Sequence, residues 1–162
     1  VTGLPLYVAI RIRGTVDVRP EVSQTLYMLR LRRKYTASLY HSSQPGITGM
    51  LKLAEDWIAW GEIDKVTLVE LLRKRGRIVG DKPLTDSWVK EKLGLNSLDE
   101  LAEKLLAGEL YLNRLKEYGI KPFFRLHPPK GGFKGSIKRR YGDGGVLGYW
   151  GSDINKLLAR MI

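Results

Sequence analysis

With 162 residues, 43% of them hydrophobic and 28% charged, the chain is long enough for one domain, or a small core with appendages, and apolar enough for most of it to fold. The absence of cysteine excludes disulfides and thiolate metal sites, no apolar run reaches the roughly 18 residues of a membrane span, and no secretory signal is expected from the N-terminal pattern. The net charge of +11 is laid out unevenly, with +4 over residues 1–61, zero over 62–117 and +7 over 118–162, which a charge serving only solubility would not be.

Residues Leu6 to Arg13 alternate: Leu6, Val8, Ile10 and Ile12 point one way, Tyr7, Ala9, Arg11 and Arg13 the other. This predicts a half-buried strand with a basic outer face at its end. Pro20 suits the first turn of a helix, and Glu21 adds favourable charge there. Val22, Leu26 and Leu29 form its apolar stripe, and the helix is expected to finish in Arg30, Arg32, Arg33 and Lys34, more cations than one helix end needs. Residues 35–41 read as a second strand. After the Ser42–Gly46 break, Ile47, Met50, Leu51 and Ala54 have the spacing of a second amphipathic helix, and Trp57–Ile63 reads as a third strand. A β-α-β-α-β order with both helices on one face of a three-stranded sheet follows.

From Asp64 the pattern becomes helical. Asp64, Thr85 and the Ser97/Glu100 pair are N-cap signals, while Gly94 and Gly108 are helix stops. Balanced charge makes this a structural layer. Beyond Lys121 regular periodicity is lost until a final helix that starts at Ser152 or Asp153, with Ile154, Leu157, Leu158 and Met161 as the stripe that docks it on the core. The expected division is 1–63 for the core, 64–120 for a helical extension, and 121–162 for a basic glycine-rich segment closed by the last helix. Between Lys121 and Tyr141 there are seven cations and no acid. Such a stretch buries too little apolar surface to fix its own shape, and its charges repel, so it reads as a loop anchored at both ends that a polyanion such as RNA would order.

Signals for catalysis are weak. His41 and His127 are the only histidines and have no partner at ligand spacing. Asp143 and Asp153 read as turn and cap residues. Gly46 and Gly49 bracket a helix start whose free N–H groups could hold a phosphate, though a plain turn explains them equally well. Among the aromatics, Phe123 and Phe124 read as core, whereas Phe133, between Gly132 and Lys134, is the better platform for an unpaired base; Tyr141 is another. Lysine and arginine here would grip phosphates without reading sequence.

Four strings, YVAIRIRG (Tyr7–Gly14), LYMLRLRRKY (Leu26–Tyr35), PGITGMLKLAEDWIAWGEI (Pro45–Ile63) and HPPKGGFKGSIKRRYGDGG (His127–Gly145), resemble large-subunit ribosomal protein number thirty, in the longer archaeal form related to eukaryotic L-seven. The resemblance spans essentially the whole chain. It implies an α+β fold with a ferredoxin-like β-α-β-α-β core, a three-stranded antiparallel sheet with two helices, plus a helical and extended C-terminal extension. It also implies a structural, non-catalytic, cofactor-free and metal-free constituent of the large ribosomal subunit in the cytoplasm. The implied partners are large-subunit rRNA of the 23S type, a place near the 5S rRNA, and neighbouring ribosomal proteins, with no membrane. Carried onto this sequence, the RNA-facing residues are Arg11, Arg13, Arg33, Lys34, Gly46, Thr48, Gly49, Arg125, His127, Lys130, Lys134, Lys138, Arg139 and Arg140, to which the aromatic reading adds Phe133. A DNA-binding regulator built on the middle helices, or an RNA-processing enzyme using Asp143 or Asp153, are the alternatives.

Overall fold

A computed structural model describes residues 4–14 and 16–162. The first half follows the expected order: β1 (Leu6–Arg11), α1 (Pro20–Met28), β2 (Thr36–His41), α2 (Ile47–Leu53) and β3 (Ile58–Glu62). β1 lies between β2 and β3 and is antiparallel to both, with Val8 opposite Leu39 on one side and Gly61 on the other. α1 and α2 cover one face, where Val22, Leu26, Leu29, Ile47, Leu51 and Ala54 pack on Ala9, Tyr40, Ile58 and Trp60.

β1 is not half-buried as its alternation suggests; five of its six residues are buried. The opposite face, carrying Leu6, Val8, Ile10, Ala37, Leu39 and Ala59, is covered by the second half of the chain. There α3 (Lys65–Arg75), α4 (Asp86–Leu93) and α5 (Leu98–Ala107) are capped by Asp64, Thr85 and Ser97 as the sequence indicates. A two-stranded ribbon, β4 (Arg77–Ile78) with β5 (Lys82–Pro83), and a short α6 (Leu112–Leu115) complete this layer.

The C-terminal third is more regular than expected. β6 (Phe124–Arg125), β7 (Ser136–Arg140) and β8 (Gly145–Tyr149) extend the core into a six-stranded sheet in the order β6-β2-β1-β3-β8-β7. β6 is antiparallel to β2, and β8 is parallel to β3. β7 and β8 meet at Ser136–Gly145 and Arg140–Leu147 with an irregular register; the turn joining them is too short for a regular parallel ladder. These strands lack period-two patterning because their place is set by pairing with β2 and β3.

α7 (Ile154–Met161) then packs on the sheet, with Ile154, Leu157, Leu158 and Met161 all buried as its stripe predicts. Gly61 admits it: a Cβ there would lie 2.2 Å from the Gly151 carbonyl and about 3 Å from Ile154. Leu158→Ala should therefore cost about 2–5 kcal/mol of stability, as for other buried Leu truncations. Denaturant unfolding measures it, and a loss under about 0.5 kcal/mol would mean the helix does not belong to the core.

Candidate nucleic-acid interface

Strand register defines one end of the sheet. Arg11 at the end of β1 stands opposite Ile58 at the start of β3, Ile10 opposite Ala37 near the start of β2, and Thr36 opposite Arg125 at the end of β6. The same end receives the start of β8, since Ala59 pairs with Gly148, and β7 with its Lys138 and Arg139 begins just beyond it.

The chain between β6 and β7 runs along this end and is fastened to it. Leu126 N–H donates to the Tyr35 carbonyl, His127 N–H to the Met161 carbonyl and Lys130 N–H to the Arg160 carbonyl, while the Arg160 guanidinium returns a 2.7 Å bond to the Gly132 carbonyl. Gly131 and Gly132 have φ of +80° and +75°, a conformation that side-chain-bearing residues rarely adopt, so the tight turn needs both glycines. Instead of waiting for a partner to shape it, the segment is pinned to the C-terminal end of α7.

α1 stops at Met28, short of the basic cluster. Arg30 takes a left-handed conformation (φ 66°), Leu31 turns into the core, and Arg32, Arg33 and Lys34 fall in an exposed loop. The helix dipole is thus not what accounts for them. Arg32 stacks on Tyr27 (4.1 Å to the ring centre), Lys34 lies 5.1 Å over Tyr35, and Arg13 lies 4.2 Å over Trp57. These contacts order the side chains while leaving their positive charge uncompensated.

Ion pairing is uneven among the described cations. In the middle region Lys65 pairs with Glu103, Arg73 with Asp86, Lys74 with Glu70, Lys104 with Glu109 and Lys121 with Asp81. The Asp86 carboxyl is held below its ordinary range, first by the Leu98 N–H and then by Arg73. At the sheet end, among the described residues, Arg33, Lys34, Arg125, Lys130, Lys134, Lys138 and Arg139 are exposed, and the described ion pairs involve none of them.

The sequence candidates sort accordingly. Arg11 lies at the right end of the sheet but is only 4% exposed, and its guanidinium donates to the carbonyls of Arg13 (2.9 Å), Leu31 (2.8 Å) and Gly14 (2.9 Å). Burial pulls its pKa below the usual arginine value. The basic outer face expected at Arg11 is therefore an internal brace, because the loops after β1 and α1 fold back over it. Arg140 is held at 2.6 Å by Glu55 and 2.5 Å by Asp56, and the Glu55 hydrogen bond raises its pKa further. The His127 ring lies 3.1 Å from the Ile162 carbonyl. Gly46, Thr48 and Gly49 are exposed but follow β2, at the opposite end of the sheet from the cluster.

Burial separates the aromatics. Phe133 is half-buried against Tyr35 (6.2 Å between ring centres) and the core, and Tyr141 stacks on Trp150 at 4.0 Å with its hydroxyl bonded to Asp153. Phe124 is fully buried, whereas its neighbour Phe123 is only partly so. Phe123 lines a cleft of about 330 Å³ together with Arg30, Arg32, Arg33, Lys116 and Arg125. Lys116 escaped the sequence reading because the region holding it is neutral on average.

The family model described as Ribosomal protein L30p/L7e matches residues 7–58, the core from β1 to the start of β3. Proteins called "Large ribosomal subunit protein uL30" are similar over nearly the full length. That of Aeropyrum pernix is 65% identical, covering 98% of this chain and 100% of its own. That of Hyperthermus butylicus is 60% identical, covering 97% and 90%, and that of Ignicoccus hospitalis 54% identical, covering 97% and 98%.

Proposed function

The chain belongs to the ribosomal protein L30p/L7e family, and we propose that it serves as a structural, non-catalytic constituent of the large ribosomal subunit in the cytoplasm, binding and stabilising large-subunit rRNA of the 23S type. The observation that carries this reading is the segregation of charge: residues 62–117 hold as many carboxylates as cations, while the exposed cations at one end of the sheet outnumber the acids near them and enter none of the described ion pairs. Uncompensated cations clustered on one rim repel one another, and phosphate oxygens remove that repulsion. In this reading residues 1–63 supply the central strands, 64–120 back them, and 121–162 add the flanking strands and complete the rim. Proximity to the 5S rRNA and contact with neighbouring ribosomal proteins rest on family membership alone.

The rim works by holding phosphates. Arg13, Arg33, Lys34, Arg125, Lys130, Lys134, Lys138 and Arg139 are the residues we assign to it. Arg11 and Arg140 are left out because protein groups already satisfy them. Titrating the protein with a large-subunit rRNA fragment at increasing salt tests the reading. With about six or seven phosphates neutralised, log K should fall against log salt with a slope of roughly −4 to −6, whereas a nearly flat response would sink it.

A further inference from the structure

We infer that the cleft beside the rim is a subsite for a single unpaired RNA nucleotide, its base stacked on Phe123 and its flanking phosphates held by the arginines on either side. The inference rests on the RNA-binding reading and adds to it a preference that phosphate contacts alone would not give.

The walls have the composition that an extruded nucleotide requires. Arg30, Arg32, Arg33, Lys116 and Arg125 surround Phe123, and no acid joins them. The volume of about 330 Å³ lies at the lower end of the range for small-ligand sites. Phe123 is partly exposed within it, and the Arg125 guanidinium lies 5.9 Å from the ring centre, so a ring and a cation flank the same space. Arg30 is steadied by two bonds to the Asn113 side chain, at 3.1 and 3.2 Å, and Arg32 by its stack on Tyr27. Arg30 and Arg32 are thus oriented before anything binds, which reduces the ordering that binding requires.

A second concavity, of about 190 Å³, shares Phe123 and Arg125 with the first and is lined beyond them by Arg75, Arg77 and Lys121. Here Asp81 is present but is paired to Lys121. Arg75 gives one bond to the Ile162 carbonyl, while its Nε is buried with no hydrogen-bond partner among the described residues. With Asp81 already engaged by Lys121, the cations of this concavity are left to an anionic acceptor from outside. The two concavities that meet at Phe123 and Arg125 therefore suit two successive phosphates, with the intervening base on the ring. A continuous duplex offers no unstacked base to such a site, whereas a bulge or loop does.

The test uses two RNA hairpins of equal length, one fully paired and one carrying a single 2-aminopurine bulge. The intact chain should bind the bulged hairpin about 5- to 100-fold more tightly, the span expected for one base–aromatic stack, with 2-aminopurine fluorescence quenched on binding. Phe123→Ala should abolish the preference and the quenching while leaving affinity for the paired hairpin unchanged, and Phe123→Trp should retain both. Equal binding of the two hairpins by the intact chain, or a preference that survives Phe123→Ala, would overturn the inference while leaving the RNA-binding reading in place. Failure to bind either hairpin and every rRNA fragment tried would overturn both.

Discussion

Replacing Arg33, Lys34, Lys138 and Arg139 together with glutamine should weaken binding to large-subunit rRNA by about 100- to 1000-fold near 0.15 M salt and make the salt slope shallower by roughly 3. All four side chains are exposed, and among the described residues no carboxylate pairs with any of them. The folded state should therefore survive, and removing their mutual repulsion should leave stability within about 0.5 kcal/mol of the parent. Affinity titrations at several salt concentrations, run beside denaturant unfolding, separate the two effects. If the quadruple variant bound as tightly as the parent, the rim would not be where RNA is held.

Arg11→Met should do the opposite. The guanidinium is buried and holds three carbonyls from the segments that close over it, those of Arg13, Gly14 and Leu31. Methionine fills much of the same volume but leaves those acceptors without a donor, and each unmatched buried group costs about 1–3 kcal/mol. An overall loss of about 3–5 kcal/mol is expected once some of the carbonyls find water. Where the variant remains folded, the salt slope of RNA binding should match that of the parent, because no phosphate contact has been removed. A shallower slope without loss of stability would return Arg11 to the interface.

The contrast between these two sets of arginines marks how far the sequence could be read. Strand and helix order through Ile63, the caps at Asp64, Thr85 and Ser97, and the buried stripe of α7 were all legible, because each depends on local chemistry within a few residues. Family membership was legible too, from strings spread along the whole chain. Three things were not. Arg11 looked like the outward member of an alternating strand, and only the return of Gly14 and Leu31 over it makes it internal. Arg140 looked like part of a continuous basic run, and only the docking of β7 beside the α2–β3 turn supplies Glu55 and Asp56. Phe123 and Phe124 looked alike, and only the pairing of β6 with β2 decides which of two adjacent rings faces inward. In each case at least one deciding contact lies 20 or more residues away in sequence, where neither periodicity nor composition reports it.

The fastening of the 127–132 segment to the end of α7 also couples two distant stretches of chain. Its hydrogen bonds engage residues 160 and 161, so cutting the chain ahead of Arg160 would leave the cations between β6 and β7 in place while removing the clasp that fixes their spacing. Loss of those few residues would therefore act on a patch far upstream without touching any of its charges.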